Sequence, residues 1–430
     1  MQRIRGEASI NRFSAGAKLT FENAGFRARD PNVKFAAWAA GVLMALLVIS
    51  GCGTSPYNPE AGVIDVIAAR SVTQSQGNVR VRVSVPSPEE TRQLFDIALY
   101  DKDVQPVWIE VENKGQTGLR YTPFGTDPEY FTPSEIAYAN RRGFTRSARE
   151  EMQFYFHDTK MPRVIRAGEI KSGFVFTEAR TGTKDVNVDL YGPGEDETYS
   201  FIFFVRVPGF VADYEQVEFD SLYKPSETMN LNSENLRTAL KTLPCCATAL
   251  SGGERKDPLN VIMIGDGLDV LQALLRAGWL ERAAEERRTG SPAEAAYLFG
   301  RTGDAIFNQP RSGQGPRTGL RLWMSPMRVD GKPVWVGNIA NIFLSRNGPI
   351  GIGPDIDDAR NFVLQDLLYA QGVAQYAWLR GPLYDPEGTL STNLQGSDYF
   401  TDGYLIVIWP TGDPQSILEA RLLPWDEQPQ

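Results

Sequence analysis

Fifteen consecutive residues without a charge, Phe35–Ile49 (FAAWAAGVLMALLVI), stop at Ser50, Gly51 and Cys52, and this break decides how much of the 430-residue chain is available to build a fold. The run follows a basic stretch that ends in Lys34. A membrane-spanning helix needs roughly 20 apolar residues to cross a hydrocarbon core of about 30 Å. Fifteen fall short of that, but they match the apolar core of an export signal, which small residues follow at the cleavage point. The plainer alternative is a buried core helix that ends at Gly-Cys. Residues 1–32 are long for the basic region of a signal, and Val33 directly precedes Lys34, so translation could begin at Met1 or at Val33.

Ile49-Ser50-Gly51-Cys52 resembles the lipobox of bacterial lipoproteins, an aliphatic residue and two small ones before cysteine. The resemblance implies cleavage after Gly51, lipid on the Cys52 sulfur, and acylation of the new amino terminus. One acyl chain binds a membrane marginally, whereas two or three hold firmly at about 0.8 kcal/mol per buried methylene. Gly53, standing where an Asp would mark retention, implies the outer membrane, facing the periplasm. On this reading residues 1–51 are a lipoprotein signal peptide and 52–60 a tether of turn formers. The membrane is then a partner through the N-terminal lipid, and the body folds in the cell envelope.

That body is ordinary in composition, since the chain is 42% hydrophobic and 23% charged. Its charge is less neutral. The chain carries −9, but residues 1–51 hold seven Lys/Arg and three acids, so the remainder carries −13. An acidic surface repels phosphate backbones, which excludes nucleic acid as an expected partner. His157 is the single histidine, so a Ser-His-Asp triad or a multi-imidazole zinc site would have to be built around that one residue. Its segment, MQFYFHDTK, spaces aromatic residues as a strand would, and a structural or surface role is the expectation. Three cysteines make no disulfide framework. No metal or other cofactor is expected.

Residues 61–220 read as a β-rich, sandwich-like domain. Asn78–Val85 (NVRVRVSV) alternates strictly, as a half-buried strand does. VWIEVEN, SGFVFTEA, DVNVDLY and TYSFIFFVRV follow, with Gly/Pro turns between them. Helix is expected only over 133–142 and 145–154. YGPGED lacks the Lys and Ser/Thr of a phosphate loop, so it is a turn. Residues 221–256 read as a linker that partly packs, and within it Cys245 and Cys246 stand side by side. Adjacent cysteines close only a strained ring. Reduced buried thiols, a vicinal disulfide and a redox pair all remain open.

From 257 to 420 the order is strand (258–266), helix (268–279), hairpin (320–340), helix (355–372) and strand (403–410), with 421–430 a tail. Asp330-Gly331 is a strong hairpin signal. Strand, helix, hairpin, helix, strand is the ferredoxin-like β-α-β-β-α-β order. The fold class expected is therefore α+β: a sandwich-like N-terminal domain, then a ferredoxin-like C-terminal one. GDGLD (265–269) sits between strand and helix but lacks the three-glycine fingerprint, which favours helix capping. The tryptophans are expected in the core.

LPCC, DPLNVIMIGD, LLRAGW, LRLWMSPMRVDGKPVWVG and DIDDARNFVLQDLLYAQ, across residues 243–385, resemble the LssY C-terminal domain family. The resemblance implies little chemistry, because the family is largely uncharacterised. Relatives carry a His and an Asp before the Pro-Asp pair; here those positions are Ile350 and Gly353, so chemistry that depends on them is not expected.

The best polar cluster is Arg317, Arg321, Arg360, Asp355 and Asp357. Arginines forking onto an anion at the N-terminus of the 355–372 helix would make an anion site. The plainer reading is a set of ion pairs supporting the fold. Paired carboxylates at Asp355 and Asp357 would need a third ligand to hold a metal. The function expected is a membrane-anchored envelope lipoprotein serving in binding or assembly, with an envelope protein as partner. The competing class is a hydrolase of phosphoesters or lipids working through Arg317, Arg321 and Asp355.

Overall fold

The computed structural model describes residues 55–426, apart from 129, 195–196, 254–255, 290–295, 310–316, 346–347 and 386. The apolar run and Cys52 lie outside the described residues. From Pro56 onward the chain forms one compact unit of mixed α and β structure, in which strands predominate over several sheets.

Helix α1 (Val63–Ala69) leads into strands β1 (Val72–Gln76) and β2 (Val79–Ser84). In β2, Val79, Val81 and Val83 are buried while Arg80 and Arg82 are half-buried and pair across the sheet with Glu112 and Glu110, at 2.7 and 2.8 Å. Next come helix α2 (Pro88–Phe95), strands β3 (Val104–Asn113) and β4 (Leu119–Tyr121), and helices α3 (Pro133–Asn140) and α4 (Arg146–Asp158). Strands β5 (Val164–Ile165), β6 (Ile170–Glu178), β7 (Thr183–Tyr191) and β8 (Thr198–Arg206) complete two antiparallel sheets, ordered β1-β2-β3-β6 and β5-β4-β7-β8. Val81, Ile109 and Val175 of the first sheet share a core with Val188 and Phe203 of the second. The opposite pleat of the first sheet carries Trp108, Phe174 and Phe176, which pack with Phe95, Met152 and Phe156 of the helices. Period-2 side chains thus bury both faces of β3 and β6. His157 falls on exposed helix in α4, beside Lys160, because helix continues past Phe154 to Asp158.

The second half begins with β9 (Met229–Leu231), helix α5 (Ser233–Lys241), β10 (Cys246–Thr248), β11 (Lys256–Pro258) and β12 (Val261–Ile264). Helix α6 (Gly267–Arg276), with Gly278 at φ 83° just beyond it, precedes β13 (Leu280–Glu281), β14 (Tyr297–Leu298), β15 (Arg301–Thr302) and β16 (Ala305–Gln309). The long hairpin β17 (Arg317–Val329) and β18 (Lys332–Ser345) turns at Asp330 and Gly331, whose φ values of 50° and 80° suit a two-residue primed turn. β19 (Gly348–Ile352), helix α7 (Asp357–Tyr369), β20 (Val373–Arg380), β21 (Thr389–Thr392), β22 (Asp398–Thr401), β23 (Tyr404–Pro410) and β24 (Arg421–Leu423) follow.

The main sheet runs β13-β16-β17-β18-β12-β23-β20-β24. One face packs on α6 and α7 through Val270, Leu274, Val363 and Leu367. The other is covered by Leu236 and Leu240 of α5, so the segment expected to link two domains is built into this core. The order departs from the ferredoxin-like expectation. In that order each helix joins strands of one direction, which makes the last strand antiparallel to the first. Here β23 lies beside β12 but parallel to it. The cause is β20, an unexpected strand that takes the outer position and pairs antiparallel with β23. A register shift between Val373 and Gln375 breaks its alternation, which hid it from a period-2 reading.

Candidate functional site

The five residues of the expected anion cluster do not converge. Arg360, fully buried, forks onto Asp402 and donates to the Tyr404 carbonyl at 3.0 Å. Asp357 lies 3.1 Å from the same guanidinium and accepts from the Thr401 hydroxyl (2.9 Å) and the Asp402 N–H (2.7 Å). Burial pushes the Asp357 carboxyl above its usual value, against the pull of Arg360. Asp355 is exposed and caps α7, accepting from the Asp357 N–H at 3.0 Å. On the sheet's other face, with Trp323, Arg321 pairs with Asp257 at 3.3 Å. Arg317 is exposed at the first position of β17. The structure therefore brings Arg360, Asp357 and Asp355 to one end of α7 and places Arg321 elsewhere. The sulfurs of Cys245 and Cys246 are joined. Among the described residues no group of three or more His, Cys, Asp or Glu could hold a metal ion, and no helix is long and apolar enough to cross a membrane.

A different site emerges at the Asp330–Gly331 end of the sheet. Leu322 and Met324 of β17, Trp335 opposite Met324 on β18, Phe307 of β16, and Val270 and Leu271 of α6 floor a cavity of about 730 Å³. Residues 214–228 form its outer wall through Tyr214, Phe219, Tyr223 and Thr228. Rings lock wall to floor: Phe219 meets Trp335 edge-on at 5.4 Å, and Tyr214 stacks on Phe307 at 6.4 Å. Trp335 donates its indole N–H to the Gly265 carbonyl at 3.0 Å.

A half-buried polar strut, anchored on buried Asp304, holds the wall in place. The Tyr223 hydroxyl donates to the Met324 carbonyl at 2.8 Å and accepts from Arg301 at 2.9 Å. Arg301 forks onto Asp304 with two bonds of 2.8 Å, and Asp304, fully buried, accepts from the Met324 N–H at 2.7 Å. Burial raises the Tyr223 hydroxyl above its usual value, so it stays a donor. Tyr214 donates to buried Glu281, which also accepts from the Thr183 N–H and so ties this wall to β7. Burial, then Glu281, pushes the Tyr214 hydroxyl strongly upward. The charged side chains lining the cavity are Arg328 and exposed Asp220. No sequence motif marks this site, because its walls come from four separated stretches; the aromatic spacing of Tyr214, Phe219 and Tyr223 was its one local trace.

No curated protein matches the chain. Among solved structures, a "putative lipoprotein (ycdA)" from Bacillus subtilis matches over 59% of this chain and 72% of that one, at 11% identity and a TM-score of 0.18, which does not establish a shared fold. Residues 237–405, from α5 into β23 and so holding most of the cavity floor, match the family described as the LssY C-terminus.

Proposed function

We propose that this chain is a lipid-anchored protein of the bacterial cell envelope whose folded body is a binding module. The cavity carries the binding half of that reading. Its volume falls within the range of ligand sites, about 300–1,000 Å³, and its lining is mainly apolar and aromatic with few polar groups. Those lining residues include no Ser, Cys, Lys or His, the side chains that most often serve as nucleophile or base in covalent catalysis. The hydrolase reading needed Arg321 turned toward a substrate, and that side chain is spent on Asp257. Anchorage rests on Ile49–Cys52, and it puts envelope proteins within reach as partners.

Intact-mass analysis of the protein from its own envelope tests the anchor. The expected chain starts at a lipidated Cys52, and Cys52→Ala leaves an unlipidated precursor. A wild-type chain that retains residues before Cys52 and a free thiol would sink the anchorage. Crosslinking in native envelopes, followed by identification of what residues 214–228 capture, tests the binding half.

A further inference from the structure

Resting on that binding reading, we propose that the cavity takes a single-chain anionic amphiphile, its chain against the aromatic floor and its head group on Arg328. The floor offers apolar surface and little else, and its volume suits one ligand of drug-like size, not a two-chain lipid. Arg328 is the group that makes the ligand's charge specific. It is half-buried at the edge of the cavity, where the β17 register shifts between Met324 and Arg328 and the strand turns its side chains. Its guanidinium donates to the Ser325 and Met327 carbonyls at 3.0 Å each and touches the Met324 sulfur at 3.6 Å.

Among the described residues no carboxylate lies within ion-pair distance of it. Arg321 of β17 pairs with Asp257, Arg301 of neighbouring β15 with Asp304, and Arg360 of α7 with Asp402. Arg328, like Arg276 of α6 on the Thr411 and Gly412 carbonyls, is instead held by carbonyls, and Arg328 is the arginine that lines the cavity. A desolvated cation without a counter-charge is costly, and burial already weakens this one's hold on its proton. A carboxylate or phosphate head would supply the missing partner. Asp220, also at the rim, is exposed and screened by solvent. Asp266 and Asp269 are engaged by Lys332, at 4.0 and 3.7 Å.

The test is photolabelling of the full protein in isolated envelopes, with diazirine-bearing dodecanoate and diazirine-bearing dodecanol, mapped by peptide mass spectrometry. The expected result is labelling of peptides within 214–228 and 322–335 by both probes, with the acid favoured. Arg328→Gln should lower acid labelling about tenfold while leaving the alcohol unchanged, and Arg328→Lys should restore part of it. Equal labelling by the two probes, indifferent to Arg328→Gln, overturns the anionic head group but leaves a binding cavity. Labelling confined to peptides elsewhere overturns the binding reading as well. Unchanged alcohol labelling in the variants serves as the control for folding.

Discussion

Arg360 donates to both carboxylate oxygens of Asp402, at 2.6 and 3.1 Å, with its guanidinium 5.1 Å over the ring of Trp378. A planar fork meeting a carboxylate in this way is the strong form of an ion pair, and here it fastens the start of α7 to the turn before β23. Replacing Arg360 by Met keeps the volume but leaves Asp402 and Asp357 without their counter-charge. The expected cost is about 3–5 kcal/mol in urea unfolding at neutral pH. Burial already raises the Asp357 carboxyl, and loss of Arg360 raises it further. The variant's deficit should therefore shrink as pH falls and Asp357 protonates; a deficit constant from pH 7 to pH 4 would contradict this account.

Tyr223→Phe removes the hydroxyl that joins the cavity wall to Met324 and Arg301. The Met324 carbonyl then loses a donor, and a loss of about 1–3 kcal/mol is expected. Hydrogen exchange should rise selectively over 219–228. If the exchange rates there are unchanged, the strut is not what holds the wall.

The capping box of α2 should be visible as acid sensitivity. The Glu90 side chain accepts from the Ser87 N–H at 2.7 Å, the Glu90 N–H donates to the Ser87 hydroxyl at 3.1 Å, and Arg70 forks onto Glu90. Burial works to raise this carboxyl, but the bonds from Arg70 and Ser87 hold it below its usual value. A depressed folded value means the stabilisation is complete above the unfolded value of about 4.3, and is lost as pH falls through the folded one. Glu90→Gln should lower stability by roughly 0.5–1 kcal/mol at pH 7, because the pair is partly exposed. The two proteins should converge once the pH has fallen through the depressed folded value. Thermal melts across this range decide it.

Gly173 sits where β6 passes the backbone of residues 159–161. A Cβ there would lie 2.5 Å from the Lys160 carbonyl and from the Met161 nitrogen, and neither can swing away as a side chain could. Met161 also donates its N–H to the Phe174 carbonyl at 2.9 Å, which fixes the approach. Gly173→Ala is expected to cost about 1–3 kcal/mol through forced backbone displacement. A melting temperature equal to wild type would show that the segment can shift freely.

Local chemistry by itself determined the elements whose signal is short in range. Strict alternation predicts β2, Asp330-Gly331 predicts the turn of β17 and β18, and the amphipathic run 355–372, acidic in its first turn, predicts α7. These follow from backbone geometry and period, which a dozen neighbouring residues define. Tertiary structure decided the rest. β20 escaped notice because its alternation is broken, and its capture of the outer position turned β23 parallel to β12. The arginines found carboxylates far along the chain, Arg321 at Asp257 and Arg360 at Asp402, because a buried cation takes whichever counter-charge packing brings near. The cavity is the extreme case. Its floor, its helix and its wall meet only after the sheet has formed, so no stretch of sequence contains it.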